Sequence, residues 1–167
     1  MRPGLVDEHK ADLFRFCCYL TNKPDVAEEL FQQTWLRTID RISTYKPHRS
    51  FRAWLNAIAA NLYKDQHRRQ ARQAKYQSSV DPELLQRWEP TTEQRLETEL
   101  DIERLKQAVQ QLDDIYRIPL LLYYDQELSY RDIAAALEIP AGTVKSRLNY
   151  ARRQLKDMMD GGDSGDG

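Results

Sequence analysis

Spaced by its apolar side chains, the chain reads as a succession of helices. Between about Pro24 and Ser43, Ala27, Leu30, Phe31, Thr34, Trp35, Thr38 and Ile42 recur every three or four positions, which places them on one face at 100° per residue. From Ser50, suited to an N-cap, to about Arg72, a second stripe holds Phe51, Leu55, Ile58, Ala59 and Leu62. A third starts near Thr92 with Leu96, Leu100, Ile102, Leu105 and Val109. Ser129 can then cap a short helix whose Ile133, Ala134 and Leu137 face inward. Ile139 and Pro140 make a turn, and Val144, Leu148, Ala151 and Leu155 line a following helix, which is helix-turn-helix spacing. No useful stretch alternates with the period of a strand, so the predicted fold class is all-α.

Charge divides this succession in two. The 167 residues sum to a net charge of -1, yet residues 1–78 hold 14 Lys+Arg and 8 Asp+Glu, a net +6. Residues 79–103 hold 2 and 8, a net -6; residues 104–156 hold 9 and 6, a net +3; and the tail from Asp157 adds 4 acidic side chains. Ser78, Ser79, Pro82, Pro90, Thr91 and Thr92 interrupt helix in the acidic stretch. The expected organisation is two small helical domains, residues 1–76 and 101–160, joined by a flexible acidic linker, 77–100. The C-terminal domain carries the helix-turn-helix, and a disordered Gly/Asp/Ser tail occupies 161–167. Two basic blocks separated by an acidic one suit domains that each meet a polyanion.

Three helix faces hold side chains that packing does not require. Opposite the first stripe lie Glu29, Gln32, Gln33, Leu36 and Asp40, where Leu36 is either a protein-contact residue or a stray surface leucine. Along one edge of the second helix run Trp54, Asn61, Lys64, Arg68 and Arg72. Cations for phosphates, an amide for a base edge and an aromatic for stacking suit melted nucleic acid. The alternative is a solvated basic face with Trp54 packed in the core. On the last helix Gly142, Lys145, Ser146, Asn149, Tyr150 and Arg153 face outward, with Arg147 and Arg152 flanking, as in a helix that enters the major groove.

These segments resemble a bacterial extracytoplasmic-function (ECF) sigma factor of the sigma-70 superfamily. DVAEELFQQTWLRTIDRISTY is similar to the segment that binds the clamp coiled coil of RNA polymerase, and SFRAWLNAIAANLYKDQHRR to the promoter-melting helix. LDDIYRIPLLLYYDQELSYRDIAAALEIPAGTVKSRLNYARRQL is similar to the C-terminal DNA-binding domain. The resemblance implies a factor that binds core polymerase (clamp coiled coil and flap) and promoter DNA, recognises the minus-35 and minus-10 elements and helps melt the promoter. Glu29, Gln32, Gln33, Leu36 and Asp40 would dock on core. His48, Arg49, Ser50 and Asn61 would receive an unpaired base of the minus-10 element, which Trp54 would also meet, with Lys64, Arg68, Arg69 and Arg72 on its phosphates. Gly142, Thr143, Lys145, Ser146, Asn149 and Tyr150 would approach the minus-35 bases, with Arg147, Arg152 and Arg153 on the backbone. An anti-sigma factor is a further expected partner, and the location expected is the cytoplasm, nucleoid-associated within holoenzyme. Against the family pattern, Ala60 stands where a basic residue is common and Gln33 where an acidic one is. Glu138 replaces a turn glycine and Tyr150 an arginine.

The competing reading is a duplex-binding helix-turn-helix regulator that acts without core polymerase; it leaves the edge from Trp54 to Arg72 unexplained. No enzyme, cofactor or metal is expected. His9, His48 and His67 are scattered without a metal or catalytic motif, and Asp113 and Asp114 read as capping or solvated charge. Cys17 and Cys18 read as small buried hydrophobes, and no apolar run reaches membrane-span length.

Overall fold

The computed structural model describes residues 3–161 except 74–95, with backbone alone for 3, 70–73 and 96–100. Seven α-helices are described: α1 Pro3–Thr21, α2 Pro24–Arg41, α3 Phe51–Gln73, α4 Leu96–Gln111, α5 Asp114–Tyr124, α6 Tyr130–Leu137 and α7 Ala141–Gly161, with a 3-10 turn Ile42–Thr44 after α2. No strand occurs among the described residues, and no described helix is long and apolar enough to cross a membrane.

Local chemistry sets the boundaries. Asn22 takes the left-handed conformation (φ 58°) that ends α1, and Pro24 opens α2 where its missing N–H costs nothing. Ser50 Oγ accepts the Ala53 N–H, and Ser129 Oγ the Asp132 N–H, as N-caps do. Glu138 sits at φ 57° after α6, where its own N–H and that of Ile139 both bond the Ala134 carbonyl. The turn expected around Glu138 therefore forms with a non-glycine residue, at about 1 kcal/mol of backbone strain.

The apolar stripes assemble one continuous core that runs through both halves. Leu13, Phe16, Cys17, Cys18, Leu20, Ala27, Leu30, Leu55 and Ala59 fill the space between α1, α2 and α3. Burial pushes the Cys17 thiol well above the usual thiol range, so it behaves as an apolar side chain. Ile118, Leu122, Ile133, Val144, Leu148 and Ala151 fill the C-terminal half.

The structure departs from the sequence expectation at four places. Residues 96–100, read as helical from the stripe of Leu96 and Leu100 yet counted with the linker, begin α4, and Gly161, assigned to the tail, ends α7; residues 74–95 and 162–167 lie outside the described part. In α6 Ala136 is buried and Ala134 only partly. In α3 Leu62 is only partly buried, whereas Asn56, Ala60 and Tyr63, turned about 100° from the stripe, are covered. This second covered face exists because α3 packs against α6 as well as α2. Ala60 is fully buried, so the basic side chain common there in the family has no room in this arrangement.

The two halves meet along a polar seam. Gln126, 1% exposed, accepts from Asn56 Nδ2 at 3.1 Å and donates to the Asp12 carbonyl at 3.0 Å. Beside it Arg15 bonds Asp125 at 2.6 Å, and Arg52 bonds Asp12 at 3.1 Å and the Gln126 carbonyl at 3.3 Å. At the other end Arg117, also buried, donates to Asp114 at 2.7 Å, to the Tyr63 hydroxyl at 2.7 Å and to the Leu20 carbonyl at 3.0 Å. Removing one member leaves its partner buried and unsatisfied. Gln126→Ala is expected to lower stability by about 1–3 kcal/mol, roughly 3–10 °C of melting temperature in a chain of this size. Thermal unfolding followed by circular dichroism checks this, and an unchanged midpoint would refute the burial of the Asn56 amide against Gln126.

Candidate polymerase-docking and nucleic-acid interface

The outer face of α2 is apolar at its centre. Leu36 is 64% exposed, and Ile39, which the sequence reading passed over, is 54% exposed beside it. The spacing of three residues from Leu36 was the available signal. Around this pair Glu29, Gln32 and Asp40 are exposed, and Gln33 is tied down, donating to Glu29 at 3.2 Å and accepting from Gln66 at 2.7 Å. Two large exposed aliphatics on one helix, ringed by polar groups, form the kind of patch that marks a protein contact.

The second group lies on the loop before α3 and on its outer edge. His48, Arg49 and Ser50 are exposed on a turn, and Ser50 is engaged as the α3 cap. Trp54 is partly buried, its ring 5.2 Å from Tyr45 and 5.8 Å from Phe51, so it belongs to an aromatic cluster under the turn rather than to a free stacking platform. Asn61, Arg68 and Arg69 are exposed; the Arg72 side chain lies outside the described residues. Lys64 is partly buried, and its ammonium is held below the usual lysine range by burial and by the cations of Arg147 and Arg68. Arg147 belongs to α7, so the seam brings basic groups of both halves within electrostatic reach of each other.

The third group is the first half of α7. Gly142, Lys145, Ser146, Asn149 and Arg153 are exposed, and Thr143 and Arg147 partly so. Ser146 Oγ donates back to the Gly142 carbonyl at 3.0 Å, and Tyr150 lies 4.2 Å from the Tyr116 ring. Arg152 is not free for a phosphate in this structure. It donates to the Tyr124 hydroxyl at 2.7 Å and to Asn149 Oδ1 at 3.0 Å, and lies over the Tyr123 and Tyr124 rings. Hydrogen bonds to Tyr130 and Tyr124 raise its pKa further. Among the described residues no group of three or more His, Cys, Asp or Glu could hold a metal.

A helical N-terminal half with an exposed aliphatic patch and a basic edge, followed by a basic helix-turn-helix, is the plan of a sigma-70 protein. Residues 5–73 match the model of sigma-70 region 2, and residues 102–155 that of sigma-70 region 4. The chain is 35% identical over 154 residues to the ECF RNA polymerase sigma factor SigL of Mycobacterium tuberculosis, covering 92% of this chain and 85% of SigL. It is 30% identical to SigE of Mycolicibacterium smegmatis over 93% of this chain, and spans 60% of that longer relative. Among solved structures it is similar to the sigma factor RpoE in complex with the anti-sigma factor NepR from Bartonella quintana. That match has a TM-score of 0.78 and 24% identity, covering 94% of this chain and 95% of that one, and supports the fold. The chain belongs to the ECF family of sigma-70 factors.

The Lys64 pKa reports whether this arrangement persists in solution. Arg147→Gln removes a positive neighbour contributed by the other half, so the Lys64 pKa is expected to rise. An NMR titration of methylated lysines checks this, and an unmoved Lys64 after Arg147→Gln would show that the halves do not pack as described.

Proposed function

We propose that this chain is the promoter-specificity subunit of a bacterial RNA polymerase. Residues 1–76 would serve core binding and minus-10 melting, and residues 101–160 minus-35 recognition. The observation that carries this reading is the coexistence on one chain of an exposed aliphatic docking patch at Leu36 and Ile39 and two separate basic faces. A free-standing regulator needs only one of these. Glu29, Gln32, Gln33, Leu36 and Asp40 are assigned to core docking. His48, Arg49, Ser50 and Asn61 are assigned to an unpaired minus-10 base, and Lys64, Arg68, Arg69 and Arg72 to phosphates. Gly142, Thr143, Lys145, Ser146, Arg147, Asn149, Tyr150 and Arg153 are assigned to the minus-35 element. Trp54 acts here through the turn it underlies, and Arg152 reaches phosphate only by leaving its tyrosine contacts.

The closed seam bears on how the factor works. The two promoter elements lie about 25 base pairs apart, roughly 85 Å of B-form DNA. A compact globule of 167 residues would have a radius of gyration of about 15 Å, hence a diameter of roughly 40 Å. The closed chain cannot reach both elements, while its docking patch stays exposed. Core polymerase would therefore dock on α2 and separate the halves, which explains why an almost neutral chain should bind promoter DNA poorly alone. An anti-sigma factor, of the kind that accompanies RpoE in its solved complex, would act by holding the halves closed. Action with polymerase places the factor in the cytoplasm.

Reconstituted transcription separates these roles. Leu36→Asp is expected to weaken core affinity at least tenfold, a loss of about 1.4 kcal/mol or more from a buried contact. Arg68→Glu with Arg69→Glu should leave core affinity intact and depress promoter opening, seen as reduced permanganate reactivity. Full core affinity in Leu36→Asp, or equal loss of both activities in the arginine variant, would refute the assignment.

A further inference from the structure

The exposed turn before α3 is held by a residue that precedes it. Tyr45 follows the 3-10 turn, its N–H bonding the Ile42 carbonyl at 3.2 Å. Its ring packs edge-on against Phe51 at 5.4 Å and at a tilt of 41° against Trp54 at 5.2 Å, both in the first turns of α3. Its hydroxyl donates to the Arg49 carbonyl at 2.7 Å. The Arg49 N–H in turn donates to the Lys46 carbonyl at 2.9 Å, closing a four-residue turn with Pro47 in its second position, where proline's fixed φ fits. Both backbone groups of Arg49 are thus engaged, and Ser50 is fixed as the helix cap.

The side chains this turn presents are in the opposite condition. Lys46, His48 and Arg49 are exposed, and none of their side chains makes a hydrogen bond or ion pair within the described residues. A rigid backbone that displays polar side chains without partners is the arrangement expected of a preformed binding loop, because the ordering cost is met on folding rather than on binding. Stability does not require the Tyr45 hydroxyl. A phenylalanine would make the same ring contacts, and water could serve an exposed phenol equally well. The hydroxyl adds one thing, a tether from the aromatic cluster to the Arg49 carbonyl.

We propose that Tyr45 is a positioning residue for base capture: through its bond to the Arg49 carbonyl it presets the His48-Arg49 turn that receives the unpaired minus-10 base. This rests on the base-capture role given to His48 and Arg49 above. Tyr45 touches no base. It acts by keeping the turn from having to order when a base arrives, and Pro47 supports the same turn from within.

The test uses reconstituted holoenzyme on duplex promoter and on templates with an abasic site at each non-template minus-10 position in turn. Tyr45→Phe is expected to slow opening about three- to tenfold on duplex DNA, the weight of one hydrogen bond, with core affinity and melting temperature at wild-type values. The deficit should vanish on the template that lacks the captured base, and Pro47→Gly should show the same dependence on template, with the lower melting temperature that a freer unfolded chain brings. A merely structural role would instead lower the melting temperature and slow every template alike, and that result overturns the proposal. So does wild-type opening in Tyr45→Phe. Unchanged opening in a His48→Ala, Arg49→Ala double variant would overturn the base-capture reading itself. A defect there without one in Tyr45→Phe overturns the positioning role alone.

Discussion

A guanidinium buried at the junction of two half-proteins governs this structure. Arg117 is 6% exposed, and two of its three shortest contacts beyond its own helix reach α1 and α3, at the Leu20 carbonyl and the Tyr63 hydroxyl. Asp114, one helical turn earlier, supplies the balancing charge, and burial with this carboxylate pushes the Tyr63 phenol up to about 12, so it stays protonated as a donor. A buried ion pair of this kind adds little net stability compared with apolar packing, but it demands its partners in place. A seam made of Arg117, Gln126, Asn56 and Arg15 is therefore specific in geometry, yet each of its groups can be rehydrated on separation.

The seam also sets the charge pattern. Closing the halves brings Arg147 within electrostatic reach of Lys64, which Arg68 of its own helix also repels and which Asp114 and Glu138 attract more weakly. The near-zero net charge of the chain conceals this opposition.

The all-α fold was legible in the sequence because each stripe answers to a single period. The stripe of α2, the caps Ser50 and Ser129 and the strained turn at Glu138 follow from side chains a few residues apart. The seam was not legible, because its partners lie far apart in sequence, as Asn56 and Gln126 do, and neither residue interrupts an apolar pattern. For the same reason Asp114 read as capping or solvated charge and Arg152 as a cation for the DNA backbone, whereas in the structure one pairs with Arg117 and the other lies among Tyr123, Tyr124 and Tyr130. Trp54 shared an edge with the basic residues by angle alone. The residues before α3, bent back by Tyr45, cover it, and helical angle cannot report a contact from outside the helix.

The claim on which the rest depends is that the halves are closed in the free chain and separate when both promoter elements are held. Single-molecule energy transfer between labels at the exposed positions Glu28 on α2 and Asp157 on α7 tests it directly. The account predicts one high-transfer population for the free chain and a low-transfer population once core polymerase and promoter DNA are both present. High transfer that persists in a transcriptionally competent complex would contradict it.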